Sequence, residues 1–327
     1  ASSAALAMTE ILEGRATSGQ IAAFCVALRM KGETIEEMTG LLGAMFDHVT
    51  PVVVDDPGTL VDTCGTGGDR SCTINASTLA AMVVAGAGAR VCKHGNRAQS
   101  SKCGSADLLE ALGVAVDIGP EGVAACIEAA GMGFCFAPRY HPAMRHAGPT
   151  RRELGVPTVF NFLGPLANPA QVRRQSLGVS DPKMAVKMAG VLQARGAERA
   201  LVVYGHDGLD EITTTTTSTV IEVRDGETRT YDIDPAALGL TRADPVALMG
   251  GDAATNAGMA RRVLDGQRGP QRDFVLLNAA AGIMAAGLAD DLAGGLEAAA
   301  ASIDDGQAAG VLERMVTASQ EHAAAPG

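Results

Sequence analysis

The sequence lacks several signatures that would place it in a familiar functional class. Glycine, proline or a charge interrupts every apolar run before it reaches the roughly 20 residues that span a bilayer. The N-terminus, ASSAALAMTEILEG, has no basic region typical of a secretory signal and starts within a helical pattern, as if a short piece of the first helix were missing. Neither a GxSxG elbow nor a metal-binding histidine spacing is present. We therefore expect a soluble protein without membrane association and without a nucleophile of the hydrolase type.

Cysteine pairs are also missing. The seven cysteines are odd in number, contain no CxxC and are irregularly spaced, which is typical of buried thiols in a reducing compartment. We therefore predict a cytoplasmic location. Cys64, Cys72, Cys92 and Cys103 lie close together in the sequence, but their spacing does not match a zinc site.

Basic residues are in deficit, with 26 Lys and Arg against 37 Asp and Glu and a formal net charge of -11. This balance argues against nucleic acid as a partner, because non-specific binding depends on neutralising phosphates. A small polyanionic ligand remains compatible, since cations gathered in one cleft can dominate the local field. The 327 residues, 47% hydrophobic and 19% charged, are typical of a globular enzyme with two domains or one large one.

Periodicity divides the chain into helical and α/β parts. Residues 4–48 are helical throughout, with a capping box that Thr34 and Glu37 would form. From residue 60, strands near 60–63, 89–92, 114–118 and 133–136 alternate with helices near 76–86, 105–112 and 120–130, which predicts a largely parallel sheet. After a helical stretch over 140–166, we predict strands at 176–179 and 200–204, a helix at 182–196, β structure over 212–223 and 228–233, and three or four helices beyond Pro245. The five threonines at 213–217 fit a strand or hairpin by β-branching.

Two glycine-rich turns follow predicted strands and precede predicted helices. The first is Gly65 to Asp69 and the second is Lys93 to Arg97. Glycine adopts φ > 0 cheaply and lets a ligand approach backbone N–H groups, and a helix start adds further donors, so such turns suit phosphate. The second turn adds the cations Lys93, Arg97 and Lys102. Taken singly, the first could be a structural turn and the second a solvated loop.

Asp210 and Glu211 form a carboxylate pair after the strand at 200–204. Both could not enter a core at acceptable cost, so a solvated acidic turn is one interpretation. The loop nevertheless follows a parallel strand and should emerge at the same sheet edge as the glycine turns. Mg²⁺ held by these carboxylates would supply counter-charge to phosphoryl groups bound at the glycine turns.

The joint pattern of GTGGD, NAST six residues beyond its aspartate, and KHGNRAQSSKCGSADLLEALG resembles the anthranilate phosphoribosyltransferases of tryptophan biosynthesis. The close match over RRELGxxTxFNxLGPLxNP extends the resemblance. It implies transfer of the phosphoribosyl group from 5-phosphoribosyl 1-diphosphate to the amine of anthranilate. It also implies an α/β fold of the nucleoside phosphorylase and phosphoribosyltransferase class. A small all-helical domain would comprise 1–52 with 140–166 returning to it, and a large α/β domain with a mostly parallel central sheet would comprise 57–139 and 167–327.

The resemblance also assigns site residues. The donor diphosphate and ribose would be held by Gly65, Gly68, Asp69, Thr73, Asn75, Ala76, Ser77 and Thr78 of the first turn and its helix, and by Lys93, His94, Gly95, Asn96, Arg97, Ala98, Gln99, Ser100, Ser101 and Ser105 of the second. Anthranilate would be bound by Gly65, Asn96 and Arg151, beside a tunnel wall of Gly164 and Pro165. The magnesium ligands would be Ser77, Asp210 and Glu211, with two ions per monomer. Catalysis would rest on stabilising the leaving diphosphate through Lys93, Arg97 and the metal, because an aromatic amine needs no strong base.

The resemblance further implies a homodimer formed through the helices of residues 4–48. Two alternatives remain. A pyrimidine nucleoside phosphorylase has a related architecture, but its phosphate loop and lysine motif differ from GTGGD and KHGNR and it has no use for the Asp210–Glu211 pair. A non-catalytic nucleic-acid-binding relative of the same fold would need a basic surface that this composition does not favour.

Overall fold

The computed structural model describes residues 1–69, 71–98 and 101–323 and contains a seven-stranded sheet. The strands are β1 Leu60–Gly65, β2 Arg90–Gly95, β3 Met132–Phe136, β4 Arg174–Gly178, β5 Arg199–Gly205, β6 Ser218–Arg224 and β7 Glu227–Ile233. Their order is β3-β2-β1-β4-β5-β6-β7, parallel from β3 to β5 and antiparallel from β5 to β7. The predicted α/β class with a mostly parallel sheet is confirmed.

Helices precede the sheet, cover it and end the chain. Before β1 and between β1 and β3 they are α1 Ser2–Leu12, α2 Ser18–Lys31, α3 Ile35–Asp47, α4 Ala76–Gly86, α5 Ser105–Ala111 and α6 Pro120–Ala130. Between β3 and β5 they are α7 Ala137–Tyr140, α8 Gly148–Leu154, α9 Val159–Leu163 and α10 Pro182–Ala194. After β7 they are α11 Ala253–Leu264, α12 Pro270–Ala286, α13 Leu292–Asp304 and α14 Gln307–Glu321. Short 3-10 turns lie at Pro57–Thr59, Pro142–His146, Gly164–Leu166, Pro235–Leu238 and Pro245–Leu248.

The two faces of the sheet bury different helices, as the alternation of side chains along a strand requires. Leu201 and Val203 of β5 face a core shared with α4, α11, α12, α13 and α14. Ala200 and Val202 face the opposite core, which they share with α1, α2, α3, α9 and α10. The predicted capping box of α3 is present, with the Glu37 amide donating to Thr34 Oγ1 and the Thr34 amide to the Glu37 carboxylate. Over the described residues, none of the helices has the length and apolarity that a membrane crossing requires.

Two strand predictions are wrong. Val114, Val116 and Ile118 are buried, but the segment 114–118 is a connection between α5 and α6, and the Ala115 amide donates to Ser319 Oγ of α14 instead of to a strand. The threonine run is also not a strand, since β6 begins only at Ser218.

The carboxyl ends of four neighbouring parallel strands meet at one edge of the sheet. β1, β2, β4 and β5 end at Gly65, Gly95, Gly178 and Gly205, and Gly65 pairs in register with Gly178. Glycine lets the following loops run close over the strand ends. This edge is where ligands of parallel sheets bind.

Candidate active site

The first glycine turn wraps around the Asp210 side chain. Gly67 and Gly68 have φ of 63° and 83°, the left-handed region that favours glycine. The Gly67 amide donates to Asp210 Oδ2 at 2.7 Å. At Gly65, a Cβ atom would collide with the same carboxylate. The first turn and the acidic pair, with Gly67 and Asp210 143 residues apart in sequence, therefore pack directly against each other.

Three carboxylates meet beside this turn. Ligand oxygens of Asp69, Asp210 and Glu211 all lie within 4.8 Å of one another. Ser77 lies in the wall of the same cavity as Asp210 and Glu211. The predicted metal ligands Ser77, Asp210 and Glu211 thus share one cavity, and the structure adds Asp69, which the sequence assigned to the donor.

The acidic pair is not the solvated turn that the sequence also allowed as an alternative. Asp210 is buried, and Oε2 of the half-buried Glu211 is enclosed without a hydrogen-bond partner among the described residues. Burial, and then the charge of Asp69, raises the pKa of Asp210 to about 6. Burial, and then the charge of Asp210, raises the pKa of Glu211 well above its usual value. Glycines at the strand ends make room for this pair, and the Gly67 amide and the charge of Lys93 only partly offset the pKa shifts that burial and mutual repulsion cause.

The donor set fits magnesium. Mg²⁺ takes oxygen ligands and commonly binds through one or two carboxylates together with substrate phosphates. Clustered carboxylates that repel one another, with one enclosed oxygen unpartnered among the described residues, are the arrangement that a divalent cation relieves.

The NAST segment starts α4 beneath the first turn. Thr63 Oγ1 of β1 donates to the Ser77 carbonyl at 3.0 Å. Asn75 does not present its amide freely, because Nδ2 donates to the Cys103 carbonyl at 3.0 Å and Oδ1 accepts from Asn256 Nδ2 at 2.9 Å. Asn75 therefore joins the first turn to the second turn and to α11.

Lys93 lies beneath the second turn and not in it. β2 continues to Gly95, so Lys93 is a strand residue, only 1% exposed, that points toward α4. Its Nζ donates to the Thr63 carbonyl and lies 3.4 Å from Ser77 Oγ. Burial lowers the pKa of Lys93, and the nearby Asp62 carboxylate opposes that shift. The Lys93 ammonium therefore lies behind the cavity wall, next to the predicted metal ligand Ser77.

Asp107 organises the second turn, a role that the sequence did not reveal. Its Oδ2 accepts from the Ala98 amide at 3.0 Å and the Gly104 amide at 2.8 Å. Its Oδ1 lies 3.1 Å from Arg97 Nη1, and Arg97 also pairs with Glu110 at 2.6 Å. The predicted cation Arg97 therefore already has two carboxylate partners. Ser105 Oγ joins the two ends of the turn, because it accepts a hydrogen bond from the Asn96 amide and donates one to the Asn96 carbonyl.

The other predicted donor residues occupy the same two segments. Gly68, Thr73, Ala76, Thr78, Gly95 and Ser101 lie in the turns or at the adjoining strand and helix ends, whereas Gln99 and Ser100 fall outside the described residues. The Thr78 hydroxyl is buried and has no partner within the described part of the chain.

The predicted acceptor segment touches the opposite face of β2. The ring centroids of His94 and His141 lie 5.0 Å apart with the ring planes tilted by 52°, and the two rings contact the backbone of Gly164 and Ala167 respectively. Burial lowers the pKa of His94 well below its usual value and that of His141 to about 4, so both rings are neutral. The tunnel wall predicted at Gly164 and Pro165 is thereby attached to the strand that carries the second turn.

Arg151 is the half-buried member of the RRELG run. Its guanidinium lies 5.1 Å from the Phe160 ring centroid, and desolvation lowers its pKa. Arg152, the next residue, is exposed. Burying one arginine of the pair without a carboxylate among its described neighbours is what a binding site for an anionic group requires.

Comparison with known proteins agrees with this geometry. A model of the glycosyl transferase family, helical bundle domain, matches residues 1–49, and a model of the glycosyl transferase family, a/b domain, matches residues 57–309. An anthranilate phosphoribosyltransferase of Roseiflexus castenholzii is 54% identical over 318 residues, which cover 97% of this chain and 93% of that protein. One from Rhodococcus jostii is 55% identical over 314 residues, covering 94% and 86%.

Solved structures give the same result. The crystal structure of anthranilate phosphoribosyltransferase from Thermus thermophilus superposes with a TM-score of 0.92 at 44% identity, covering 97% of this chain and 94% of that one. The Saccharomyces cerevisiae enzyme in complex with PRPP and Mg gives a TM-score of 0.86 at 28% identity, covering 96% and 91%.

Proposed function

The chain belongs to the anthranilate phosphoribosyltransferases, and we propose that its two glycine turns, acidic cluster and Arg151 divide the work of that reaction. The enzyme transfers the 5-phosphoribosyl group of 5-phosphoribosyl 1-diphosphate to the amine of anthranilate. The products are N-(5'-phosphoribosyl)anthranilate and diphosphate, in a step of tryptophan biosynthesis. The observation that carries the proposal is the group of three carboxylates at the sheet edge, directly beside the first glycine turn. One oxygen of this group, Glu211 Oε2, is enclosed and has no hydrogen-bond partner among the described residues.

On the donor side, Asp69, Ser77, Asp210 and Glu211 hold magnesium, two ions per monomer. Bound Mg²⁺ offsets the charge of the diphosphate and makes it a better leaving group. The backbone of Gly65 to Asp69 and the start of α4 receive phosphate oxygens, and the second turn, over 96–105, covers the diphosphate and ribose. Lys93 adds positive charge from below the cavity.

On the acceptor side, Arg151 binds the anthranilate carboxylate, and Asn96 and Gly65 position the amine between the two turns. Gly164 and Pro165 form the wall of the entry tunnel. The transition state carries positive charge on the ribose as the diphosphate departs. The protein contributes alignment of the amine and stabilisation of the leaving group, and an aromatic amine that is neutral at pH 7 needs no strong base.

We assign residues 1–52 and 140–166 to a helical domain, because α8 contacts α2 and α9 contacts α2 and α3. Residues 57–139 and 167–327 form the α/β domain.

The protein acts as a cytoplasmic homodimer that binds neither nucleic acid nor membranes. Large apolar side chains stand exposed on α1 and α2, Leu6 at 69% and Met30 at 83%, and would form part of the dimer face.

The proposal is tested by following the loss of anthranilate fluorescence. We expect consumption only when phosphoribosyl diphosphate and Mg²⁺ are both added. The double variant Asp210→Asn, Glu211→Gln keeps side-chain size, so it should remain folded while turnover falls by about a hundredfold or more, as expected when a metal worth several kcal/mol is lost. Retained magnesium-dependent turnover in that variant, or phosphorolysis of thymidine or uridine in place of anthranilate consumption, would contradict the proposal.

A further inference from the structure

Asn278 of α12 is a buried residue whose side-chain amide makes two of its three hydrogen bonds outside its own helix. Its Oδ1 accepts from the Ile212 amide at 2.9 Å, and its Nδ2 donates to the Ile212 carbonyl at 3.0 Å. The second Nδ2 hydrogen is directed to the Phe274 carbonyl, four residues back in α12, at 2.9 Å. The internal bond fixes the orientation of the amide, and the other two clamp a single residue of the loop after β5.

Ile212 directly follows the acidic pair. The clamp therefore holds the chain at the residue next to Glu211, and Asn278 itself lies in the wall of the cavity that Glu211 and Asp210 line. Ile212 is fully buried in the core with α12, so its backbone cannot be satisfied by water.

The other side of the acidic pair is held by glycines. The Asp210 carbonyl lies so close to Gly178 of β4 that a Cβ there would be 2.6 Å from the carbonyl carbon, and the Asp210 carboxylate accepts from the Gly67 amide. Glu211 is thus the one residue between two fixed points, Asp210 against the strand ends and Ile212 against Asn278. Its own carboxylate has no partner at Oε2 within the described residues.

We propose that Asn278 is a positioning residue for the metal site, which fixes the backbone on which Glu211 projects its carboxylate. The proposal rests on the proposed function, because it requires Asp210 and Glu211 to bind a divalent cation. A ligand whose enclosed oxygen has no hydrogen-bond partner among the described residues depends on its backbone for orientation. Outer partners of metal ligands typically contribute about tenfold to a hundredfold to metal affinity or activity.

A purely structural role makes a different prediction. Removing Asn278 would leave two buried backbone groups unsatisfied and lower stability, but Mn²⁺ would bind the remaining folded protein normally. Ser302 of α13 is a matched control, since it is also buried and donates to the Val83 carbonyl of α4 at 2.8 Å, away from the acidic pair.

The test measures Mn²⁺ binding to the full chain by electron paramagnetic resonance, with and without phosphoribosyl diphosphate, below each variant's Tm. We expect Asn278→Ala to weaken Mn²⁺ binding and raise the KM for Mg²⁺ by about tenfold or more, with the anthranilate KM unchanged. Asn278→Asp keeps the shape but replaces the donor facing the Ile212 carbonyl, and should lose affinity as well. Ser302→Ala should lower Tm without changing Mn²⁺ affinity.

Wild-type Mn²⁺ affinity in either folded Asn278 variant would overturn the inference. If neither variant folds, amide exchange in the wild type decides, because a clamped Ile212 amide must exchange far more slowly than exposed loop amides, and fast exchange refutes the clamp. The proposed function is tested separately in the same assay. Wild-type protein that binds no Mn²⁺, or an Asp210→Asn, Glu211→Gln variant that binds it as well as wild type, would refute the metal site itself.

Discussion

Gly178 offers a test of the site that changes the position of the proposed ligands without altering any of their side chains. An alanine Cβ at this position would stand 2.6 Å from the Asp210 carbonyl carbon and nearer still to its oxygen, whereas Cβ atoms essentially never approach closer than 3.0 Å. The φ of Gly178 lies outside the left-handed region, so the backbone itself tolerates alanine. The only response is for β4 or the loop carrying Asp210 and Glu211 to move.

The Asp210 carbonyl oxygen and the added Cβ must separate by about 1.5 Å more to reach a 3.0 Å contact. A misplacement of only about 1 Å in a catalytic constellation can already cost about a hundredfold, or roughly 2.7 kcal/mol of transition-state stabilisation. Overpacking of this kind costs about 1 to 3 kcal/mol of folding free energy, less than the roughly 5 to 15 kcal/mol by which a typical domain is stable. Gly178→Ala should therefore fold and show kcat/KM about a hundredfold below wild type, with a raised KM for Mg²⁺.

Anthranilate fluorescence decay measures the activity, and thermal unfolding monitored by circular dichroism establishes the fold. Gly258→Ala in α11 is the control, because the nearest atom to its added Cβ is Arg262 Nη1 at 3.7 Å, an ordinary contact. It should keep full activity and gain about 0.5 to 1 kcal/mol from reduced chain entropy. A folded Gly178→Ala enzyme with kcat/KM within about threefold of wild type would refute the close packing of the acidic loop on β4.

Three further outcomes are expected. Arg151→Ala should raise the anthranilate KM by about tenfold to a hundredfold, the value of a charge-assisted hydrogen bond, while the exposed Arg152→Ala changes it little; equal effects of the two would identify a solvated basic face. Asp107→Ala removes the acceptor of two turn amides and should raise the donor KM by about tenfold, against less than about twofold for Glu110→Ala, whose ion pair is exposed; a larger effect of Glu110→Ala would contradict this ranking. Burial lowers the pKa of His141 to about 4 in the folded protein, whereas in the unfolded chain it is about 6.5. As pH falls from about 6.5 toward 4, the unfolded chain therefore takes up a proton that the folded protein does not, and the free energy of unfolding decreases. Between pH 7 and 5, urea unfolding of wild type should therefore lose about 2 kcal/mol more than that of His141→Gln, and parallel pH profiles would refute the neutral buried ring.

The sequence was sufficient to place both glycine turns and the acidic pair at one sheet edge. Each follows a strand of a repeated strand, turn and helix pattern, and the carboxyl ends of parallel strands meet at a single edge. This argument needs only chain order. It therefore succeeded for Gly65 and Asp210, although they are more than a hundred residues apart.

The sequence was insufficient wherever a distant element supplied the partner. The alternating Val114, Val116 and Ile118 looked like a strand, but the Ala115 amide bonds to Ser319, some two hundred residues later. The same holds for Asn278, which lies in an alanine-rich helix and whose partner at Ile212 is visible only after folding. Hydrogen bonds of this range leave no local pattern in the chain.

Lys93 shows how a small error in a strand boundary changes a functional interpretation. With the strand ended at Cys92, Lys93 belonged to the turn and its charge seemed free to meet a ligand. With β2 continuing to Gly95, the alternation of side chains sends Lys93 toward α4 and Ser77, and sends its neighbour His94 toward His141 and the 164–167 segment. One strand thereby directs one side chain toward the proposed donor side and the next toward the proposed acceptor segment.

This placement has an electrostatic consequence for how an acidic protein binds a polyanion. Asp69, Asp210 and Glu211 cluster at the proposed diphosphate site, while the nearest buried cation among the described residues, Lys93, lies beneath the cavity, where the Asp62 carboxylate also acts on it. Arg97 is paired with Asp107 and Glu110. Without a metal, the donor diphosphate would therefore meet carboxylates whose charge is little opposed. Divalent cations reverse the sign of that surface, so the donor and Mg²⁺ must bind with positive coupling, each raising the affinity for the other by the same factor.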